Sequence, residues 1–281
     1  MYQVNYNLKC GEFMENNRII NIITNNNSYS IEIAAQLKYE LTRYHYHVSE
    51  EYNPSAELNI SVGGDGSFLR ALRNNDFPSI PIIGVNTGNL GFYPELSPKD
   101  IQSFAKDYSL GQYSINKLPL LQCEICSEEV VHTVYALNDI AIKGDQTKTI
   151  HLDVFIDYNH LETVSGDGVI VSMPMGSSAY NYSSGGSLVY PSLNTMQLTP
   201  IAPLNSNAYR CLSSSIIVPP DLNIIIVPEY KYIEKIVFSL DGEQVNYEKV
   251  THSNFFVSQK TIKIISMGTF NYWKVIKEKF L

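Results

Sequence analysis

Apolar and polar positions follow two different rhythms along this chain. In the first part, short apolar runs alternate with amphipathic stretches. "RIINIIT" (18–24) reads as a short buried strand, and "NNNSY" follows it as a loop. "SIEIAAQLKYELTRY" (30–44) then sets Ile31, Ala34, Ala35, Leu37 and Leu41 mostly at helical spacing, with Ser30 as the expected N-cap. "ELNISV" (57–62) and "IPIIGVN" (80–86) are two further strands. Strand, helix, strand, helix, strand predicts a parallel sheet with crossover helices.

Beyond about Leu118 the rhythm changes. "HLDVFID" (151–157) alternates, "DYNHL" reads as a turn, and "GVIVSMP" (168–174) returns. "SSIIVP", "LNIIIVP", "KIVFSLDGE", "NFFVSQ" and "TIKIISM" follow as short strands between turn residues. "FNYWKVIKEKFL" (270–281) reads as a closing amphipathic helix. The expected architecture is therefore an α/β N-terminal domain with a Rossmann-like parallel sheet, then an all-β domain, then a segment returning to the first. The boundaries are placed at 1–107, 108–265 and 266–281. Residues 1–13, ahead of Met14, are expected to be dispensable, as an extension or as sequence upstream of an alternative start.

Composition narrows the class. In 281 residues that are 44% hydrophobic, no apolar run approaches the roughly 18 residues of a membrane span. "MYQVNYNLKCGEFMENN" lacks the basic leader and apolar stretch of a secretory signal. A cytoplasmic protein with no membrane partner is expected. The net charge of −8 argues against a general nucleic-acid surface, and the twenty tyrosines are read as packing and hairpin surface. Four cysteines make no disulfide framework. Cys123 and Cys126 form C-x-x-C without a second pair, and no cluster of the six histidines suggests a protein-bound transition metal.

The candidate chemistry lies in "NISVGGDGSFLRAL" (59–72), where an apolar strand ends in glycines. Gly63, Gly64 and Gly66 would let backbone N–H groups approach a phosphate, helped by the helix that starts just after. Asp65 does not fit that role, because a carboxylate repels phosphate. It must do something else, either taking a proton from an attacking hydroxyl or holding a metal ion. The bland alternative is a tight turn with Asp as a cap. Neither G-x-G-x-x-G after the first strand nor G-x-x-x-x-G-K-[ST] is present, so ordinary dinucleotide binding and the P-loop design are both excluded.

"GGDGSFLRA" (63–71) resembles the GGDG[TS] motif of NAD kinases, which is shared with diacylglycerol and sphingosine kinases and 6-phosphofructokinases. "NTGNLGFYPEL" (86–96), "ALNDIAIKG" (136–144), "SGDGVIVSMPMGSSAYNYSSGGSLVYP" (165–191), "LTPIAPLNS" (198–206) and "FSLDGE" (238–243) resemble further NAD-kinase segments, in the family's order. The resemblance implies transfer of the γ-phosphoryl group of ATP, with Mg²⁺ as its partner, to the 2′-hydroxyl of the adenosine ribose of NAD⁺. NADP⁺ and ADP are the products. It implies Asp65 as general base, with Gly64 and Gly66 as backbone donors. Arg70 would meet phosphate or be a solvated helix residue. Asn138 and Asp139 would take sugar hydroxyls or a base edge, and Asp167 would lie near the dinucleotide. Ser178, Ala179, Tyr180, Asn181, Tyr182 and Ser183 correspond to the base- and ribose-binding stretch, with the Tyr180 ring offered to a base. Ala202 and Asn205 match a segment that completes the pocket, often from a neighbouring subunit. A homo-oligomer, commonly a tetramer, is implied. So are β domains packed together, with cover for apolar strands such as "NIIIVP".

The chain departs from the family pattern in four places. Asp139 stands where many members have Glu, Leu204 replaces a usual His, and Glu243 stands where Gln is frequent. Met173 and Met175 replace threonines, which would make the base pocket softer and less polar. Two other readings share the motifs: a non-catalytic NADP(H) sensor that kept the pocket, and a lipid kinase built on the GGDG core. Retention of Asp65 argues against the first. The second gives no reason for "NDIAI" and "GSSAY".

Overall fold

The structure is a computed structural model and describes residues 18–145, 149–206, 210–232 and 236–281. The expectation about residues 1–13 and Met14 lies outside the described residues. Along the chain the first elements are β1 (Ile19–Thr24), α1 (Ser28–Thr42), β2 (His47–Val48), β3 (Leu58–Val62), α2 (Asp65–Arg73), β4 (Ile82–Val85) and α3 (Ile101–Ser109). There follow β5 (Ser114–Ser127), β6 (Val131–Ala136), β7 (Asp139–Gly144), β8 (Ile150–Ile156), β9 (Asn159–Gly166), β10 (Gly168–Ser172), α4 (Tyr180–Ser183) and β11 (Met196–Ile201). The last are β12 (Ile216–Val218), β13 (Ile224–Pro228), β14 (Ile236–Leu240), β15 (Glu243–Val245), β16 (Val250–Ser266) and α5 (Tyr272–Phe280). The chain divides into two compact units. The first takes residues up to Phe68, Ile80–Ile115 and Ile265–Leu281; the second takes Leu69–Ser79 and Asn116–Ile264.

In the first unit, β2, β1, β3 and β4 form a parallel sheet in that order, with Ile20 opposite Leu58 and Ile60 opposite Ile83. β3 lies inside the sheet, so all five of its residues are buried and no alternation survives. Helix α1 starts earlier than expected. Asn27, not Ser30, is the N-cap, and its side chain accepts the Tyr29 N–H. Ser30 is buried and meets the Thr87 hydroxyl at 2.7 Å. The buried face is Ser30, Ile33, Leu37 and Leu41, while Ile31 points to solvent. Leu37 and Leu41 join Ile20, Leu58, Ile60 and Phe104 in one core, where each fully buried aliphatic side chain contributes about 1.5–3 kcal/mol.

The C-terminal segment completes this unit. Asn271 caps α5 by accepting the Lys274 N–H at 3.0 Å. Tyr272, Val275 and Ile276 are buried, and Phe280 packs near Phe92. Upstream, Glu95 Oε1 accepts the N–H groups of Met267 and Thr269 at 3.1 and 2.8 Å.

The second unit is built of antiparallel sheets. One runs β12-β11-β10-β7-β14-β15. The other contains β16-β13-β8-β9, with the β5–β6 hairpin joined through β5. A single core draws Ile140, Val169, Val171, Leu198 and Phe238 from the first and Leu152, Val154, Ile224, Ile226 and Phe255 from the second. "NFFVSQ" and "TIKIISM", expected as two strands, are parts of the single 17-residue β16. No turn residue separates them, since Lys260 continues the extended backbone. The edges of "NIIIVP" are paired within the chain, because β13 lies between β16 and β8, while Ile225 and Val227 on its other face are half-buried. Among the described residues, no helix is long and apolar enough to cross a membrane.

Candidate functional site

The glycine-rich turn lies between the buried end of β3 and the first turn of α2. The Gly63 N–H donates to the Val85 carbonyl at 2.9 Å, which fixes the turn to β4. Gly64 faces open space: a side chain there would meet nothing within 4 Å. The first amides of α2, from Gly64 to Gly66, have no partner within the helix and lie at its positive end. Gly66 is exposed in that turn, and Arg70, one turn on, is exposed as well.

Asp65 is held from three directions. Its Oδ1 accepts the N–H groups of Phe92 and Tyr93 at 2.8 and 3.0 Å. Its Oδ2 lies 3.2 Å from the Lys279 ammonium of α5. The loop can approach this closely because residue 91 is glycine: a Cβ there would collide with Asp65 Oδ1. The side chain remains about a quarter exposed, so a ligand can still reach the carboxylate. The "NTGNLGFYPEL" segment thus has a visible structural role, which is to present two amides to Asp65.

The second unit gathers another set of predicted residues around the start of β7. The main chain of Asn138 is tightly engaged: its carbonyl accepts the Met173 N–H at 2.8 Å, and Gly176 packs directly against it. The carboxylate of Asp241 accepts the N–H groups of Leu137, Asn138 and Asp139 at 2.9, 2.7 and 3.3 Å. Asp241 holds φ 47°, and Gly242 follows it in a tight turn. Arg73 donates to the Leu240 carbonyl at 3.5 Å and pairs with Glu243, closing the other side of that turn.

Two carboxyl groups therefore lie close together, and their environments separate them. Asp139 is 3% exposed. Burial, and then the neighbouring Asp241 charge, push its pKa up to about 8. Removal of its carboxyl from water also raises Asp241, but three backbone amides and Arg73 pull it back. Asp241 is the better placed of the two to keep the negative charge, and Asp139 to keep the proton. A protonated Asp139 can donate as well as accept a hydrogen bond, unlike an ionised carboxylate.

Asp167 is exposed between two glycines that both need to lack a side chain. A Cβ on Gly166 would come within 2.8 Å of the Ala202 carbonyl, and one on Gly168 would collide with the Ile142 carbonyl. The Asp167 N–H donates to Ile201 at 3.0 Å. Ala202, at φ 44°, and the exposed Asn205 are on the same turn of the same chain. Ala202 and Asp167 are thus neighbours within one subunit. Asn205 Oδ1 accepts the Cys211 N–H at 3.1 Å. Ser178 and Ala179 are half-buried before α4, while Tyr180, Tyr182 and Ser183 are exposed. The Lys143 ammonium lies 5.4 Å from the Tyr180 ring centroid.

Two expectations for this unit need correction. Asn181 is fully buried, and its amide is spent inside the protein. It donates to Ser177 and Ser187 carbonyls at 3.2 and 3.4 Å and accepts the Thr199 hydroxyl at 2.6 Å. It shapes the Tyr180 turn and offers no side-chain group to a ligand. Met173 is 2% exposed and belongs to the apolar core, so it does not soften a base pocket. It takes the inward position because β10 carries its alternation through Ser172 into the turn. Met175 is half-buried.

Sequence reasoning missed Lys279, Asp241 and Arg73. Asp241 carried a usable signal, an acid followed by glycine in "FSLDGE". Lys279 carried none, since it stands among other basic residues on an amphipathic helix far along the chain.

Comparison with known proteins identifies the frame that these residues share. The family model of the ATP-NAD kinase N-terminal domain matches residues 2–113, and that of the ATP-NAD kinase C-terminal domain matches residues 137–267. The chain is 40% identical over 270 residues to an NAD kinase of Finegoldia magna, covering 95% of this chain and 99% of that one. It is 32% identical over 266 residues to an NAD kinase of Lactobacillus acidophilus, covering 93% and 97%. In fold it is similar to yeast NADH kinase complexed with NADH, with a TM-score of 0.79 at 20% identity, covering 93% and 87%. It is also similar to an NAD kinase from Archaeoglobus fulgidus in complex with ATP, with a TM-score of 0.72 at 23% identity, covering 93% and 97%. With two family models matching along the chain and 40% identity over 95% of its length to one curated relative, this chain belongs to the NAD kinase family.

Proposed function

We propose that this protein is an ATP-dependent NAD kinase that phosphorylates the 2′-hydroxyl of the adenosine ribose of NAD⁺. In the reaction the hydroxyl O–H bond breaks as its oxygen bonds to the γ-phosphorus. The bond from that phosphorus to the bridging oxygen breaks, and its electron pair leaves with ADP. The observation that carries the reading is Asp65, a partly exposed carboxylate held at both oxygens beside an open glycine turn. It accepts the hydroxyl proton as general base, a contribution of typically ~10²–10⁴-fold. The amides of Gly63, Gly64 and Gly66 supply donors to phosphate oxygens, with Arg70 as a further cation.

Asn138 and Asp139 read ribose hydroxyls or a base edge, and Asp167 lies beside the dinucleotide. Ser178, Ala179, Tyr180, Tyr182 and Ser183 line the base and ribose, with Ala202 and Asn205 at the rim. Mg²⁺ bound with ATP would supply charge neutralisation at the triphosphate. Among the described residues no group of three or more His, Cys, Asp or Glu could hold a metal ion. A cytoplasmic homotetramer is the assembly and location we attach to this reading, by family resemblance.

Incubation with ATP, Mg²⁺ and NAD⁺, with direct detection of NADP⁺, tests the proposal. Tight NADP⁺ binding without turnover would replace it by the sensor reading.

A further inference from the structure

We propose that Lys279 is a positioning residue for Asp65. The inference rests on the reading of Asp65 as the general base. The Lys279 ammonium lies 3.2 Å from Asp65 Oδ2 and, at the same time, 4.5 Å from the centroid of the Phe92 ring. The N–H of that same Phe92 donates to Oδ1 at 2.8 Å, and the Tyr93 N–H donates at 3.0 Å. Two backbone amides and one cation thus fix both oxygens of one carboxylate.

A carboxylate oxygen offers two lone-pair directions. Both sites on Oδ1 are occupied by backbone amides. On Oδ2 one is taken by the ammonium and one is left. The substrate hydroxyl therefore delivers its proton to Oδ2, on the side that Lys279 does not cover. Without the ammonium, the carboxylate is held through Oδ1 alone, and the position of Oδ2 is left to a terminal bond whose preference is broad.

The bland reading is a peripheral ion pair that helps to dock α5. Its stability value is small, since both side chains are more than a quarter exposed. Docking of α5 does not depend on it. Tyr272, Val275 and Ile276 are buried, Asn271 caps the helix, and Glu95 anchors the preceding amides. The charge can therefore be removed while the helix stays in place.

The test uses the full chain carrying Lys279→Met, Lys279→Arg, Asp65→Asn and the Asp65→Asn/Lys279→Met pair, with steady-state kinetics in ATP and NAD⁺. Lys279→Met is expected to lower kcat by about 10- to 100-fold, the scale of a small misplacement of a reacting group. KM for both substrates and the thermal midpoint should stay near wild type. Lys279→Arg should regain most of the loss, and Lys279→Met should cost little more once Asp65 is Asn. A Lys279→Met enzyme with kcat within twofold of wild type would overturn the inference. So would a loss carried by KM for ATP, or an equal loss in the Asp65→Asn background. If Lys279→Met unfolds, an inactive but folded Lys279→Gln still supports positioning, and an active one sinks it. A wild-type protein that makes no NADP⁺ overturns the kinase reading itself, and this inference with it.

Discussion

Asp139→Asn separates the energetic cost of the buried acid from everything else in its site. Burial and the Asp241 charge hold Asp139 at about 8, against an ordinary value of 3.8. The folded state therefore binds a proton through that interval and the unfolded chain does not. The stability that this provides is complete below about pH 4 and is lost progressively as the pH rises to about 8. Asparagine cannot ionise and preserves the volume and shape of the protonated acid, so its stability does not fall over that range on this account. The difference between the two proteins at pH 5 serves as the reference. About three pH units separate that pH from the folded value, at about 1.4 kcal/mol each, so the variant gains at most about 4 kcal/mol on wild type between pH 5 and pH 9. Local relaxation and water entry would bring that to roughly half. Urea unfolding at pH 5 and pH 9 on both proteins measures the change, and other titrating groups cancel in the comparison. An equal difference at both pH values would refute the assignment of the proton to Asp139. So would a variant that loses ground to wild type as the pH rises.

Three further outcomes follow from the geometry. Asp65→Asn should keep the fold, because an amide oxygen can still accept the Phe92 and Tyr93 amides, yet lose ~10²–10⁴-fold in turnover at saturating ATP; near-normal turnover would remove Asp65 from the base role. Asn181→Ala should lower the unfolding free energy by about 1–3 kcal/mol through stranded buried partners, and should leave the KM for NAD⁺ within a few-fold; a pure binding defect at full stability would contradict its structural role. Met173→Thr should destabilise without altering nucleotide preference, because the side chain lies in the core; a changed preference for NADH or GTP in kinetic assays would place it back in the pocket.

The parallel sheet of the first unit was legible through β1, β3 and β4, each an apolar run bounded by loop residues, whereas the two-residue β2 was not. The start of α1 was not. Ser30 and Asn27 are both capable caps, and the choice was decided by the Thr87 hydroxyl, distant in sequence. The turn carrying Asp65 was legible as a chemical contradiction, an acid where phosphate should approach. What restrains that acid was not legible, because Phe92 and Tyr93 contribute backbone amides, which leave no mark on residue identity. Asn181 and Tyr180 are adjacent in the sequence and share a motif, yet one is sealed inside and the other open. A motif shows that residues act together; it does not show which of them hold the turn and which meet a ligand. The β16 strand reads as two because the polar stretch Ser258-Gln259-Lys260 interrupts its apolar rhythm while the backbone stays extended.

The discontinuity of the first unit bears on how the protein is made. Its core includes Ile265, and its Asp65 is restrained by Lys279, although the rest of the unit is complete by Ile115. On a ribosome moving at about 5–20 residues per second, the late segment follows the early ones by roughly 8–30 seconds. During that interval β1 to β4 and their helices have emerged without the helix that covers Phe92 and the segment that engages Glu95. The nascent first unit must wait, exposed, while the second unit is threaded out as an insertion. The Asp65 carboxylate then gains its Lys279 partner only with α5, so a fragment released before that helix lacks one of the groups that hold it.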